Sequence, residues 1–315
     1  MGTVFQSSAL APTHAHAWVA PTSVAASAPS SGAPPVSMQR APEDGVFPPP
    51  LHGSPLELLR PQETEPPRRL AHIPATAEHD GFLEFVPPVG LGGELPVALV
   101  FLHGLGERGD GDSDLSRILR NGPPKLIQDG EWPGRDSVAV FAPQNSGQER
   151  CHHPDRVRRF LEHIRETYGD RVDVDHIILA GYSCGGHAGW NYLARFHEDP
   201  WIEGLLLASG SPLRNENGAH PEEGESTALE LLAARAPGDL VPIRIAFGES
   251  DSVVPPDAAF PSQALERAHV DGWADRLSGV GHGTSTPYFR RDDIVAWILE
   301  PRHVSSDPEI AMVRP

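Results

Sequence analysis

Apolar residues fall along this chain in short continuous runs, separated by stretches with helical spacing. Val97–Leu102 is apolar without interruption, as expected of a strand buried on both faces. Val138–Phe141, Ile177–Ala180, Leu205–Ala208 and Ile243–Phe247 read the same way. Phe82–Val86 alternates weakly, and Trp273–Leu277 is a further strand of lower apolarity. Behind Pro154, the residues Val157, Phe160, Leu161 and Ile164 recur at i, i+3, i+4 and i+7, which is one face of a helix opened by proline. Helices are also predicted over 187–196, Ala258–His269 and Asp292–Leu299. Strands alternating with helices predict an α/β domain, a mostly parallel central sheet with helices on both faces.

Residues 1–80 break the pattern. Ala, Pro, Ser and Thr dominate them, and they hold fourteen of the chain's 34 prolines. Such a composition cannot bury enough apolar area to offset its ordering entropy. Residues 1–80 are therefore expected to be a disordered tail and 81–315 a single catalytic domain. With 25 Lys and Arg against 43 Asp and Glu, the net charge is −18. Nucleic acids and anionic membranes repel such a chain unless it has a basic patch, and none is evident. No apolar run approaches the roughly 18 residues of a membrane span. Cys151 and Cys184 do not make a disulfide framework. The address signals are weak, so the cytoplasm is the expected compartment, with organelle targeting and export left open.

The chemistry sits at strand ends. Gly181-Tyr182-Ser183-Cys184-Gly185 runs from a strand directly into a helix, the context that G-x-S-x-G needs to present a nucleophile. Residues two before and two after the serine must be small there, and both are glycine. A serine needs a base oriented by an acid. In this architecture the chain order is Ser, acid, His. Asp251 follows the strand Ile243–Phe247, with Glu249 and Asp257 as rivals. His269, His282 and His303 follow the acid, and only His282 stands in a glycine-flanked loop after the last strand. An oxyanion hole needs two backbone N–H groups. Cys184 is placed to supply one, and Leu105 of His103-Gly104-Leu105-Gly106 the other. Cys151-His152-His153 lacks an evident fourth ligand, so these residues are read as loop or pocket rather than a metal site.

The stretches Leu102–Asp110, Asn121–Ile127, Ala142-Pro143-Gln144, Gly181–Gly186, Gly248–Pro255 and Gly281-His282 together resemble the α/β-hydrolase superfamily. The branch is that of phospholipase/carboxylesterases and predicted peptidases, related to polyhydroxybutyrate depolymerases and feruloyl esterases. The resemblance covers about residues 81–300. It implies an α/β-hydrolase fold, a triad of Ser183, Asp251 and His282, and Leu105 as an oxyanion donor. The chain departs from that pattern at Cys184, where methionine is common, and at Cys151-His152-His153, where tryptophans often line the pocket. Glu107, His152 and His153 are the expected pocket residues. The expected activity is cleavage of a small ester or thioester, with no cofactor, no nucleic acid and no membrane as partner. A serine peptidase of the same fold and a non-catalytic binding protein are the rival readings.

Overall fold

The computed structural model describes residues 69–300, apart from 91–92, 148, 235–239 and 271. Most of the expected tail, along with His303, lies outside the described residues.

Eight strands form one sheet in the order β1-β2-β4-β3-β5-β6-β7-β8. They are β1 (Ala71–Ile73), β2 (Phe82–Phe85), β3 (Val97–Leu102), β4 (Val138–Pro143), β5 (Asp173–Tyr182), β6 (Gly204–Ala208), β7 (Ile243–Gly248) and β8 (Trp273–Leu277). β1 and β2 run antiparallel to their neighbours. The strands from β4 to β8 in that order pair in parallel. The central strands are apolar on both faces because both faces are covered. In β3, Ala98, Val100 and Leu102 enter one core, and Val97, Leu99 and Phe101 enter the other.

The first core packs under α2 (Pro154–Tyr168), α3 (Cys184–Phe196), α4 (Ala228–Ala234) and α6 (Ser262–Arg267). The second packs under α1 (Gly122–Gln128), α7 (Ser285–Phe289) and α8 (Asp292–Leu299). The helix expected over Ala258–His269 is instead two, α5 (Pro256–Ala259) and α6. Pro261 lacks an N–H and keeps Phe260 out of the helical region, at φ −131° and ψ 77°.

Described residues before Gly81 already join the folded body. Ile73 of β1 sits opposite Phe82, and the Ala75 N–H donates to the Gly111 carbonyl at 3.0 Å. Asp80 pairs with Arg156. Only three residues long and mostly exposed, β1 has no apolar pattern to announce it. At the other edge, Arg244 of β7 donates to Asp275 of β8 at 2.6 Å and to Asp293 of α8 at 2.8 Å. This cluster fastens α8 to the strand that leads into the His282 loop.

Candidate active site

Ser183, Asp251 and His282 follow the carboxyl ends of β5, β7 and β8. The turn into α3 holds Ser183 at φ 53° and ψ −113°, a sparsely populated conformation for a residue with a Cβ. Its Oγ lies 2.8 Å from His282 Nε2. His282 Nδ1 lies 2.9 Å from Asp251 Oδ2. Asp251 is buried and fully hydrogen-bonded. Its Oδ1 accepts the Val253 and Val254 N–H groups, each at 2.9 Å, and its Oδ2 also accepts the Ser209 hydroxyl at 2.8 Å. Burial alone would raise this carboxyl; the hydrogen bonds outweigh it and hold the group below its usual value. An ionised Asp251 beside Nδ1 keeps the proton on Nδ1 and leaves Nε2 to accept from the serine. The rivals lie elsewhere: Glu249 pairs with Arg276, Asp257 is exposed on α5, and His269 follows α6.

Leu105 and Cys184 are each the first residue of a helical turn, so neither amide has an intrahelical acceptor. The Leu105 amide is also aimed. His103 is buried, and burial pushes its imidazole down to about 4. The neutral ring accepts the Asn145 N–H on Nε2 at 2.9 Å, so Nδ1–H donates to the Gly104 carbonyl at 2.7 Å. The peptide is planar and trans, so fixing the Gly104 carbonyl fixes the Leu105 N–H on the opposite side. Glu107 Oε2 holds the preceding Gly104 N–H at 2.8 Å.

Glu107 is itself buried. Burial pushes its carboxyl up to about 7 against the hydrogen bonds from Gly104 and Asn121 and the charge of Arg120. Between a pH of about 4.5 and about 7 the folded protein keeps this proton and the unfolded chain loses it. Stability must therefore fall as pH rises through that window, by about 3 kcal/mol from this group. Glu107→Gln should flatten the decline in thermal melts taken from pH 4.5 to 7.5. Equal slopes for the two proteins would contradict the assignment.

The serine opens onto a cleft of about 410 Å³, whose walls include Leu105, Glu107, Tyr182, Val253 and Val254. His152 and His153, expected in the pocket, do not line it. His152 is buried with its ring 4.6 Å from that of His103. His153 receives the Asp155 N–H at the start of α2 and faces Glu216 at 2.7 Å. The reason lies on either side of the pair. Pro154 opens α2 at once, and Cys151 is bonded to Cys184.

That disulfide, with Cα atoms 5.2 Å apart and 33 residues of separation, is no framework but a single cross-link that the sequence did not announce. It joins the loop after β4 to the first residue after Ser183. By chain entropy a closed loop of this length contributes about 3–4 kcal/mol. The Cys151→Ser, Cys184→Ser double variant should melt several degrees lower than wild type, and reductant should move wild type the same way. Two free thiols titrated in the native, unreduced protein would show the bond is not there. The sequence also missed Ser209 and Thr284, whose hydroxyls lie 2.9 Å apart behind Asp251. A serine directly after the Leu205–Ala208 run was the signal for Ser209, which the structure holds at φ 47°.

No family model and no curated protein matches this chain. Solved structures do. A thermostable esterase is 19% identical, covering 73% of this chain and 61% of its own, with a TM-score of 0.51. A candidate dipeptidyl aminopeptidase IV from Bacteroides ovatus is 11% identical, covering 73% of this chain and 34% of its own, also with a TM-score of 0.51. The chain thus spans less than two thirds of the length of either. At such identities the likeness bears on the fold alone. Strand order, the antiparallel start of the sheet and both neighbours agree, and the described body of this chain has the α/β-hydrolase fold.

Proposed function

We propose that this protein is a serine hydrolase that cleaves a small carboxylic ester or thioester. The observation that carries the reading is the unbroken chain from Ser183 Oγ through His282 to Asp251, with steps of 2.8 and 2.9 Å. Ser183 Oγ attacks the acyl carbon as its proton passes to His282 Nε2. The Leu105 and Cys184 amides hold the oxyanion. The bond to the leaving oxygen or sulfur breaks, and His282 returns the proton to it. Water then attacks the acyl-enzyme by the same route, releasing the acid and restoring the serine hydroxyl.

The neighbours' names span an esterase and an aminopeptidase, so the fold leaves ester and amide cleavage both open. The cleft of about 410 Å³ suits a small molecule better than an extended peptide. The Cys151–Cys184 cross-link fits an oxidising compartment better than the cytoplasm. A fluorophosphonate probe should label Ser183, and p-nitrophenyl acetate should be hydrolysed faster than any peptide in a panel. A protein neither labelled nor active on esters would be a scaffold without catalysis, and peptide cleavage outpacing ester cleavage would favour the peptidase reading.

A further inference from the structure

Arg150 and Arg214 line the cleft together with Ser183. Arg150 is exposed and Arg214 half-buried. Among the described residues, neither guanidinium has a carboxylate partner. Arg120, in the same wall, also lacks one, but its guanidinium is engaged by the Gly106 carbonyl at 3.2 Å. Elsewhere Arg117 pairs with Asp114, Arg156 with Asp80, Arg158 with Asp199 and Arg195 with Asp155.

The acids nearest in sequence are turned away from the two arginines. Glu149 faces Arg156 at 3.7 Å, and Glu216 faces His153 at 2.7 Å and Arg195 at 3.5 Å. Glu225 is engaged by Asn215 at 2.7 Å. Burial, and then the charge of Arg150, hold the Arg214 guanidinium below its usual range. Two cations that repel each other are thus kept together at the mouth of the nucleophile.

Both are held there by structure. Arg150 directly precedes Cys151, whose disulfide partner Cys184 directly follows Ser183. The Arg214 carbonyl accepts the Ala228 N–H at 3.1 Å, and Asn191 Nδ2 donates to the next carbonyl, of Asn215, at 2.9 Å. A third donor stands in the same wall. His187 lines the cleft, and its Nδ1 lies 2.8 Å from the Ser211 nitrogen and 3.3 Å from the Ser211 carbonyl oxygen, so the closer partner, the Ser211 N–H, donates to it. Burial pushes this imidazole down to about 3, so the neutral ring carries its proton on Nε2.

We propose that Arg150, Arg214 and the His187 Nε2–H form an anion subsite, and that the substrate is an ester or thioester bearing a carboxylate or phosphate close to the scissile bond. The inference rests on the hydrolase reading and narrows its substrate. A net charge of −18 repels an anion at a distance, and an arginine pair without a carboxylate partner attracts one locally, with Glu107 of the same wall held neutral below about 7 by burial. Guanidinium forks match both carboxylate and phosphate geometry.

The test compares monoethyl succinate with the isosteric neutral ester ethyl succinamate, and 2-acetoxyethyl phosphate with ethylene glycol monoacetate. Wild type should favour the anionic member of at least one pair by about tenfold or more in kcat/KM at low ionic strength. Which pair responds tells carboxylate from phosphate. The preference should shrink in Arg150→Gln and Arg214→Gln, vanish in the double variant, and survive in part in Arg150→Lys. A wild-type ratio near one in both pairs, or a ratio unchanged in the Gln variants, overturns the anion subsite and leaves the hydrolase reading standing. Calorimetric titration of Ser183→Ala with the same four esters reads binding without turnover. Failure to hydrolyse any ester, with tighter binding of an anionic one that the two Gln substitutions abolish, retires the hydrolase reading and supports the subsite.

Discussion

Ser183→Ala should reduce ester hydrolysis to background, a fall of about 10⁴-fold or more in kcat. The serine Oγ is the atom that His282 Nε2 reaches at 2.8 Å, and Cys184 beside it is held in a disulfide. The fold should tolerate the change. Alanine carries the same Cβ as serine at φ 53°, and the backbone anchors of the turn remain, with Ser183 N–H on the Ala208 carbonyl and His187 N–H on the Ser183 carbonyl. Thermal melts of the two proteins should therefore agree to within about 0.5 kcal/mol. His282→Ala should lose as much activity, and the double variant hardly more, because the residues act as a unit. Turnover in Ser183→Ala within tenfold of wild type would refute the mechanism.

Gly185→Ala should damage stability and activity together. A Cβ at Gly185 would overlap the Leu102 carbonyl, and would lie 2.9 Å from the His103 carbonyl oxygen. Both obstacles are backbone at the end of β3 and cannot swing aside as a side chain can. Either α3 lifts or β3 retreats, at a cost of about 3 kcal/mol. Whichever moves, one of the proposed oxyanion donors moves with it, since Leu102 leads into the Leu105 loop and Gly185 follows Cys184. A displacement near 1 Å at a catalytic centre is worth about 10²-fold in rate. Gly283→Ala is the matched control for stability, because a Cβ there meets nothing within 4 Å. A melt of Gly185→Ala as high as that of Gly283→Ala would show that the turn at Ser183 is loosely packed.

The two predictions share a cause. The same close packing of β3, β5 and α3 that excludes a methyl group from Gly185 also brings Leu105, Ser183 and Cys184 to the wall of one cleft. A mutation that leaves the packing intact removes only the chemistry, whereas one that disturbs it removes both.

The central strands could be read from the chain because burial on both faces demands uninterrupted apolar runs. Val97–Leu102 proved to be β3 with every residue buried. The order of chemistry could be read as well, since each candidate followed a strand, and the structure joins Ser183, His282 and Asp251 by hydrogen bonds. Strand β1 could not be read, because an exposed edge strand needs a neighbour's backbone rather than an apolar pattern of its own. Nor could the Cys151–Cys184 pairing, which depends on Cα atoms 33 residues apart arriving within 5.2 Å. His152 and His153 were misplaced because the turn into α2 at Pro154 and the pull of the disulfide, not their position in sequence, decide which way they face.

The sequence by itself determined the central strands, their alternation with helices and the candidates for nucleophile, acid and base, because these follow from local sterics and from the periodicity of burial. Tertiary structure alone decided what surrounds the serine. Arg150, Arg214 and His187 come from three separate segments, and nothing local in any of them marks it as facing Ser183. Whether a charge is neutralised, buried or left open to a ligand depends on which distant groups the fold brings within a few ångströms of it.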